Sequence, residues 1–199
     1  MLLHRYWDRW MGDLALVLDR GSCVFVQGLM RVAGVGIAST PEWAYVKSAG
    51  HRELASIHTV RPGWRVSAGG YVGFLDALAV VPPTVRLTAT MIAPLVRRRA
   101  TWPEIRALEL MIDIPKLPLD ILAAATAAMP EVTHLTLPMP GEIDENVLAA
   151  IHALPAYFPK LAKVRVDAAR VVSTEVRAAL VELAKLPYVE VDHGRYHLR

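Results

Sequence analysis

The sequence predicts an α/β protein made of repeated strand–helix units. One phrase occurs three times: proline, any residue, an aliphatic, two variable residues, an aliphatic, any residue, an aliphatic. Its copies begin at Pro103, Pro130 and Pro159, so they lie 27 and 29 residues apart. A period of that length is typical of stacked supersecondary units.

A second observation is the alternation of short β-rich runs with helix-like runs from about residue 56 onward. The predicted strands are residues 56–60, 85–88, 107–112, 134–138, 163–166 and 188–191. The predicted helices are residues 71–81, 91–99, 119–129, 145–158 and 173–186. Strand, helix and strand over this length imply parallel pairing with a right-handed crossover.

The third observation is composition. Hydrophobic residues make up 54% of the 199 residues, which fits buried helices and parallel strands that are apolar nearly throughout. A membrane span is not predicted, because the longest charge-free runs are about half of the roughly 20 residues that a bilayer requires. One domain, or a repeat array with a cap, is expected at this length.

Each helix has a local reason. Val176, Leu180 and Leu183 recur on one face of the last predicted helix. The alanine-rich residues 123–128 have high intrinsic helix propensity. Pro155 lies inside the fourth predicted helix and is expected to end or kink it near Leu154. The phrase prolines follow the last apolar residue of each helix and are expected to stop it there.

The repeat period begins at about residue 56 and is absent from residues 1–55, which predicts that the chain has two regions. Residues 1–55 are interpreted as an N-terminal cap or a small subdomain, and residues 56–199 as the repeat array. Shortened phrases begin at Pro83 and Pro187. Terminal repeats are commonly atypical because one of their faces has no neighbour.

The three full phrases resemble the strand segment of leucine-rich repeats, whose hallmark is L-x-x-L-x-L-x-x-N-x-L. Ile105, Leu108 and Leu110 match its first three apolar positions, and the other two copies match likewise. The asparagine position instead holds Asp113, Pro140 and Ala169, so this is a degenerate form of the repeat, with a period of about 28 residues. The resemblance implies a right-handed α/β solenoid with parallel strands, one helix per repeat and an irregular N-terminal cap. An ordinary open α/β sheet is the alternative.

In such a sheet, alternate side chains point away from the core. The outward row is predicted to read Arg86, Glu109, Thr136, Arg165, Glu190. One interpretation is a solvated ladder of cross-strand charge pairs. The other is a recognition surface, with these candidate residues: Glu109, His134, Thr136, Lys163 and Arg165. The resemblance implies a non-enzymatic scaffold that binds a protein partner on this concave face, although fold alone does not fix function.

A different class of function depends on the glycine-rich residues 67–73. Backbone N–H groups at such a strand-to-helix turn can hold a phosphate, as in an α/β enzyme or nucleotide-binding domain. The lysine of a P-loop and the full dinucleotide fingerprint are missing, so a tight turn is favoured there and at Gly34. No catalytic residue, metal ligand set or cofactor is predicted. His193 and His197 lie in a tail where their spacing does not converge.

Charge and cysteine content narrow the setting. The net charge of +3 comes from scattered basic residues, which does not favour nucleic-acid binding. Cys23 is the only cysteine and no signal peptide is recognised, so a cytoplasmic location is expected. A third hypothesis is that the chain is one part of a larger assembly; the sequence does not indicate an oligomeric state.

Overall fold

The computed structural model describes residues 11, 14–15, 18–27, 29–36, 56–63, 66–111, 119–138, 145–167 and 174–192. These residues contain eight β-strands and five α-helices, and the strands are mostly parallel. The predicted α/β class is therefore confirmed. The chain divides into two compact units, Met1–Ala100 and Thr101–Arg199.

The described residues of the first unit include four strands and two α-helices. The strands are β1 (Val24–Val26), β2 (Leu29–Val35), β3 (Thr59–Pro62) and β4 (Thr84–Thr88). The helices are α1 (Ala68–Ala77) and α2 (Ala89–Arg98), which pack on each other. β1 is antiparallel to β2, whereas β2, β3 and β4 are parallel neighbours in chain order.

Strand β2 is the element that sequence reasoning missed, because Gly34 and Gly36 suggested a tight turn. Gly34 instead lies within β2, under a short 3₁₀ turn at Arg20–Ser22. A Cβ on Gly34 would overlap the Ser22 side chain. The glycine therefore marks a place where a second backbone segment crosses a strand closely.

Helix α1 begins earlier than predicted and includes the glycines of residues 67–73. The Ser67 hydroxyl caps it by accepting a hydrogen bond from the Gly70 amide at 3.0 Å. The run from Gly70 to Leu75 is buried on all sides. The buried Tyr71 hydroxyl donates to the Val60 carbonyl oxygen at 2.9 Å, which ties the helix to β3.

The described residues of the second unit include four parallel strands in chain order. They are β5 (Ala107–Met111), β6 (His134–Pro138), β7 (Lys163–Asp167) and β8 (Val189–Asp192). The helices between them in sequence are α3 (Leu119–Ala128), α4 (Glu145–Tyr157) and α5 (Thr174–Leu183). The predicted strands and helices of this unit are confirmed to within a few residues.

The proline phrase forms the same four-residue turn each time. The carbonyl oxygen of the residue before the proline accepts from the amide two residues after it, at 3.2 Å for Trp102 and Ile105, 3.3 Å for Met129 and Val132, and 2.9 Å for Phe158 and Leu161. The shortened last phrase does the same between Leu186 and Val189, at 3.0 Å. Proline at the second position suits this turn because its φ is already near −65°.

The turn directly follows the helix after α3 and α4, but it begins several residues beyond the end of the helix in the other two cases. Helix α2 ends at Arg98, four residues before Trp102, and α5 ends at Leu183, three residues before Leu186. The proline therefore shapes the turn into the strand and does not by itself stop the helix. The residue before it is deeply buried in the three full phrases, at 0% exposure for Trp102 and Met129 and 2% for Phe158.

Among the described residues of β5–β8, only one face of the sheet is buried. On β7 the burial alternates strictly, with Val164 and Val166 inside and Lys163, Arg165 and Asp167 exposed. The equivalent inner residues of β5 and β6 are at most 3% exposed. The predicted inward positions of the phrase are therefore confirmed, and the helices cover the face that these residues form.

The sequence predicted that Pro155 ends or kinks the helix near Leu154. The helix does not end there, since α4 continues through Pro155 to Tyr157, and the kink stays a prediction. Proline has no amide hydrogen, so the Ile151 carbonyl, four residues earlier, loses its helical donor. The Tyr188 hydroxyl lies 3.4 Å from the carbonyl oxygens of both Ile151 and His152. A side chain from the last turn thus supplies the donor that the helix lacks. Partial burial raises the pKa of this phenol, which keeps it protonated.

Two sequence predictions are not tested. His193 and His197 lie outside the described residues. The boundary between residues 55 and 56 stays a prediction.

We expect Tyr188→Phe to lower the free energy of unfolding by about 1 kcal/mol, because the Ile151 carbonyl loses its substitute donor. In a Pro155→Ala background an alanine amide restores the helical bond, so the same change should cost much less. Urea unfolding of the wild type, both single variants and the double variant measures this coupling. Costs that add to within about 0.3 kcal/mol would contradict the role given to Tyr188.

Candidate interaction surface

The outward face of the second sheet is a grid of side chains in register. We define the outward face as the alternate positions of β5–β8 that point away from the buried side. Its rows follow the strand pairing: Ala107, His134, Lys163; then Glu109, Thr136, Arg165, Glu190; then Asp167, Asp192, with Met111 continuing β5. Neighbouring members of a row are about 4.8 Å apart.

The structure brings together all five residues predicted as a site. His134, Lys163 and Arg165 are exposed, and Glu109 and Thr136 are half-buried. Thr136 lies directly between Glu109 and Arg165. The His134 Nδ1 is 2.9 Å from the Thr133 hydroxyl oxygen. Arg86, the predicted first member of the row, lies on β4 in the first unit.

The two cations of this face are held by carboxylates of the next strand. Lys163 pairs with Glu190, and Arg165 donates to Asp192. The register places Arg165 opposite Glu190, so both ion pairs run diagonally, one step toward the C-terminal end of β8. The sequence predicted the neighbours correctly but not this diagonal choice, because long side chains reach past the residue directly opposite.

Arg165 interacts electrostatically with three carboxylates of the face. Its hydrogen bond to Asp192 raises the pKa of the guanidinium, and the charges of Asp192, Glu190 and Asp167 act in the same direction. One guanidinium thus lies among three carboxylates. Because the pair is exposed to water, it contributes at most about 1 kcal/mol to stability.

A second group of charges joins the turns at the N-terminal edge of the sheet. Glu131 follows the proline of the second phrase and accepts from both Arg106 and Lys160, which belong to the phrases on either side. Hydrogen bonds from Lys160 and then Arg106 lower the pKa of the Glu131 carboxyl. The three side chains link three consecutive repeats at one edge.

Sequence reasoning did not select Glu131, Asp167 or Asp192 as special. A signal for Glu131 was present, because the variable residue after each proline is charged in all three full phrases: Glu104, Glu131 and Lys160. The lysine, arginine and aspartate of Lys-Val-Arg-Val-Asp also alternate with valines on β7. These patterns place the charges on one face but do not show which partners they choose.

The other candidate chemistry has local structural explanations. In α1 the Ser67 hydroxyl already accepts the Gly70 amide hydrogen that a phosphate would use. Burial raises the pKa of Cys23 to about 11, so its thiol is protonated at neutral pH and is a poor nucleophile. Within the described ranges, no group of three or more His, Cys, Asp or Glu side chains is arranged to hold a metal ion.

Comparisons with known proteins do not assign this chain to a family. No family model, no curated protein and no solved structure matches this chain. The leucine-rich-repeat resemblance therefore stays a prediction. None of the helices in the described part of the chain is both long enough and apolar enough to cross a bilayer.

We expect Glu131→Gln to lower stability above about pH 5 and to have a progressively smaller effect as the pH falls below 4.5. The folded state lowers the carboxyl pKa below its ordinary value of 4.5, so its stabilising effect is full above 4.5 and is lost as the pH falls through the lowered value. Urea unfolding of wild type and variant from pH 7 to pH 2 measures the difference.

The matched control for this prediction is the double variant Arg106→Gln/Lys160→Gln. It keeps the Glu131 carboxyl but removes both donors, so the further change Glu131→Gln should then have almost no pH-dependent effect. A stability difference between wild type and Glu131→Gln that is the same at pH 7 and pH 2 would contradict the assignment.

Proposed function

We propose that this protein is a non-enzymatic protein-interaction scaffold, a leucine-rich-repeat-like α/β solenoid that binds a protein partner on the outward face. The observation that carries the proposal is the one-sided burial of a parallel sheet. Parallel sheets are normally covered on both faces, so an open polar face is a surface available to another molecule. Solenoids present such faces to their partners.

Strand order supports this proposal over an enzyme or nucleotide-binding domain. Open α/β sheets bind their ligands where the strand order reverses. The described strands of each unit follow chain order, including β3 and β4 on either side of residues 67–73. In the second unit, strands and helices also alternate along the chain, as one helix per repeat requires.

The repeated turn supports the solenoid in a second way. Four phrases use the same hydrogen bond at the same place, so each repeat enters its strand with the same geometry. Equal geometry places equivalent outward positions in line, and side chains at those positions are free to vary because packing does not constrain them. We further propose a cytoplasmic setting, on the basis of the single cysteine.

We expect Thr136→Arg to weaken binding of the partner by about ten-fold or more, because a long cation would stand in the middle of the outward face. The partner is first captured from a lysate with tagged wild-type protein and then purified. Its dissociation constant is measured against wild type and variant. Lys163→Ala and Arg165→Ala are measured with the same assay.

The control variant is Ala123→Arg, which adds the same side chain at an exposed position of α3, in the helical layer. It should bind the partner as the wild type does. Circular dichroism confirms that each variant is folded. An unchanged dissociation constant for folded Thr136→Arg, Lys163→Ala and Arg165→Ala would show that the partner does not use this face.

A further inference from the structure

The outward face is acidic, although the chain as a whole has a net charge of +3. Its described charged residues are four carboxylates and two cations: Glu109, Asp167, Glu190, Asp192, Lys163 and Arg165. The charge is also uneven along the strands. Lys163 lies at the N-terminal end of β7, whereas Asp167 and Asp192 lie at the C-terminal ends of β7 and β8.

Lys163 and Arg165 do not form a favourable binding site for an acidic partner. Lys163 and Arg165 already bind Glu190 and Asp192. A carboxylate or phosphate that approached Arg165 would also meet the charge of Asp167, Glu190 and Asp192, which act on that guanidinium together. Like charges brought together at an interface are strongly unfavourable. An acidic protein segment or a nucleic acid is therefore disfavoured.

The C-terminal end of the face has the complementary character for a basic segment. Asp167 and Asp192 are paired in register, about 4.8 Å apart. Met111, on the same face of β5, is 45% exposed and offers an apolar contact on a strand two away from Asp167. Lysine and arginine place their aliphatic stems along apolar surface and keep the charged head at a polar site.

We propose that the outward face binds an extended basic protein segment, with one lysine or arginine stem running over Met111 toward Asp167 and a second charged group at Asp192. This inference rests on the proposed function and specifies its partner. Arg165 and Lys163 then hold Asp192 and Glu190 in place and limit the negative charge of the face, and they do not themselves contact the partner's charges.

The test uses two synthetic peptides, Lys-Thr-Lys-Thr-Lys and Glu-Thr-Glu-Thr-Glu, titrated into the ¹⁵N-labelled full chain at about 50 mM salt, where such attraction is weakly screened. The lysine peptide should shift the amides of β7 and β8 around Asp167 and Asp192. The glutamate peptide should leave them in place. Asp167→Asn should lower the affinity for the lysine peptide by about three-fold, and Met111→Ser should also lower that affinity.

A matched control separates this site from general attraction. Glu175→Gln/Glu182→Gln removes two exposed carboxylates from α5, and Asp167→Asn/Asp192→Asn removes two from the face. Only the double variant Asp167→Asn/Asp192→Asn should lower the affinity for the lysine peptide. Equal weakening by both pairs, shifts located away from β7 and β8, shifts caused by the glutamate peptide, or an unchanged affinity in Met111→Ser would each overturn the inference.

The two proposals fail in different ways. If the captured partner loses affinity for Thr136→Arg but not for Asp167→Asn/Asp192→Asn, the interaction surface stands and its basic partner does not. If the partner keeps its affinity for Thr136→Arg, Lys163→Ala and Arg165→Ala, the proposed function itself fails. Spectra of the folded variants, recorded before each titration, ensure that a lost interaction is not a lost fold.

Discussion

The four-residue proline turn is the constraint on which the second unit depends. In each copy the amide of the aliphatic residue two positions after the proline donates a hydrogen bond to the carbonyl oxygen of the residue before the proline. In the full phrases the first residue, such as Trp102 or Phe158, is buried, so the turn is anchored in the core as well as closed by its backbone. A rigid φ at proline removes one source of variation between repeats. The strands that follow therefore begin alike, and their in-register pairing is the result.

One-sided burial follows from the same regularity and separates two kinds of residue. The aliphatic positions of the phrase, such as Leu108, Leu135 and Val164, are at most 1% exposed, and their chemistry is fixed by packing. The alternate positions face water, where charge and size are free to differ from strand to strand. The diagonal ion pairs of Lys163 and Arg165 show that this freedom is partly used within the molecule, and the face remains acidic because its four described carboxylates outnumber its two described cations.

The sequence was a good guide wherever one periodicity dominated. The phrase predicted strands β5–β8, their inward residues and the five outward site residues that the structure groups together. It failed where a distant contact decided the outcome. Gly34 lies in a strand because Ser22 crosses over it, and α4 continues through Pro155 while Tyr188 satisfies Ile151. Neither contact is visible locally, because the partners are separated by 12 residues in the first case and 37 in the second.

Strand β8 differs from its neighbours in how well its inner face is covered. Val189 and Val191 are half-buried, whereas Val164 and Val166 on the adjacent strand are at most 1% exposed. Less buried apolar area means a smaller free energy for local opening at this strand than at β6 or β7. Local stability therefore decreases toward β8. The amide hydrogens of β8 should exchange with solvent before those of β6 and β7. Asp192 lies on this strand, so opening of β8 and rearrangement of the Arg165 pair are one event.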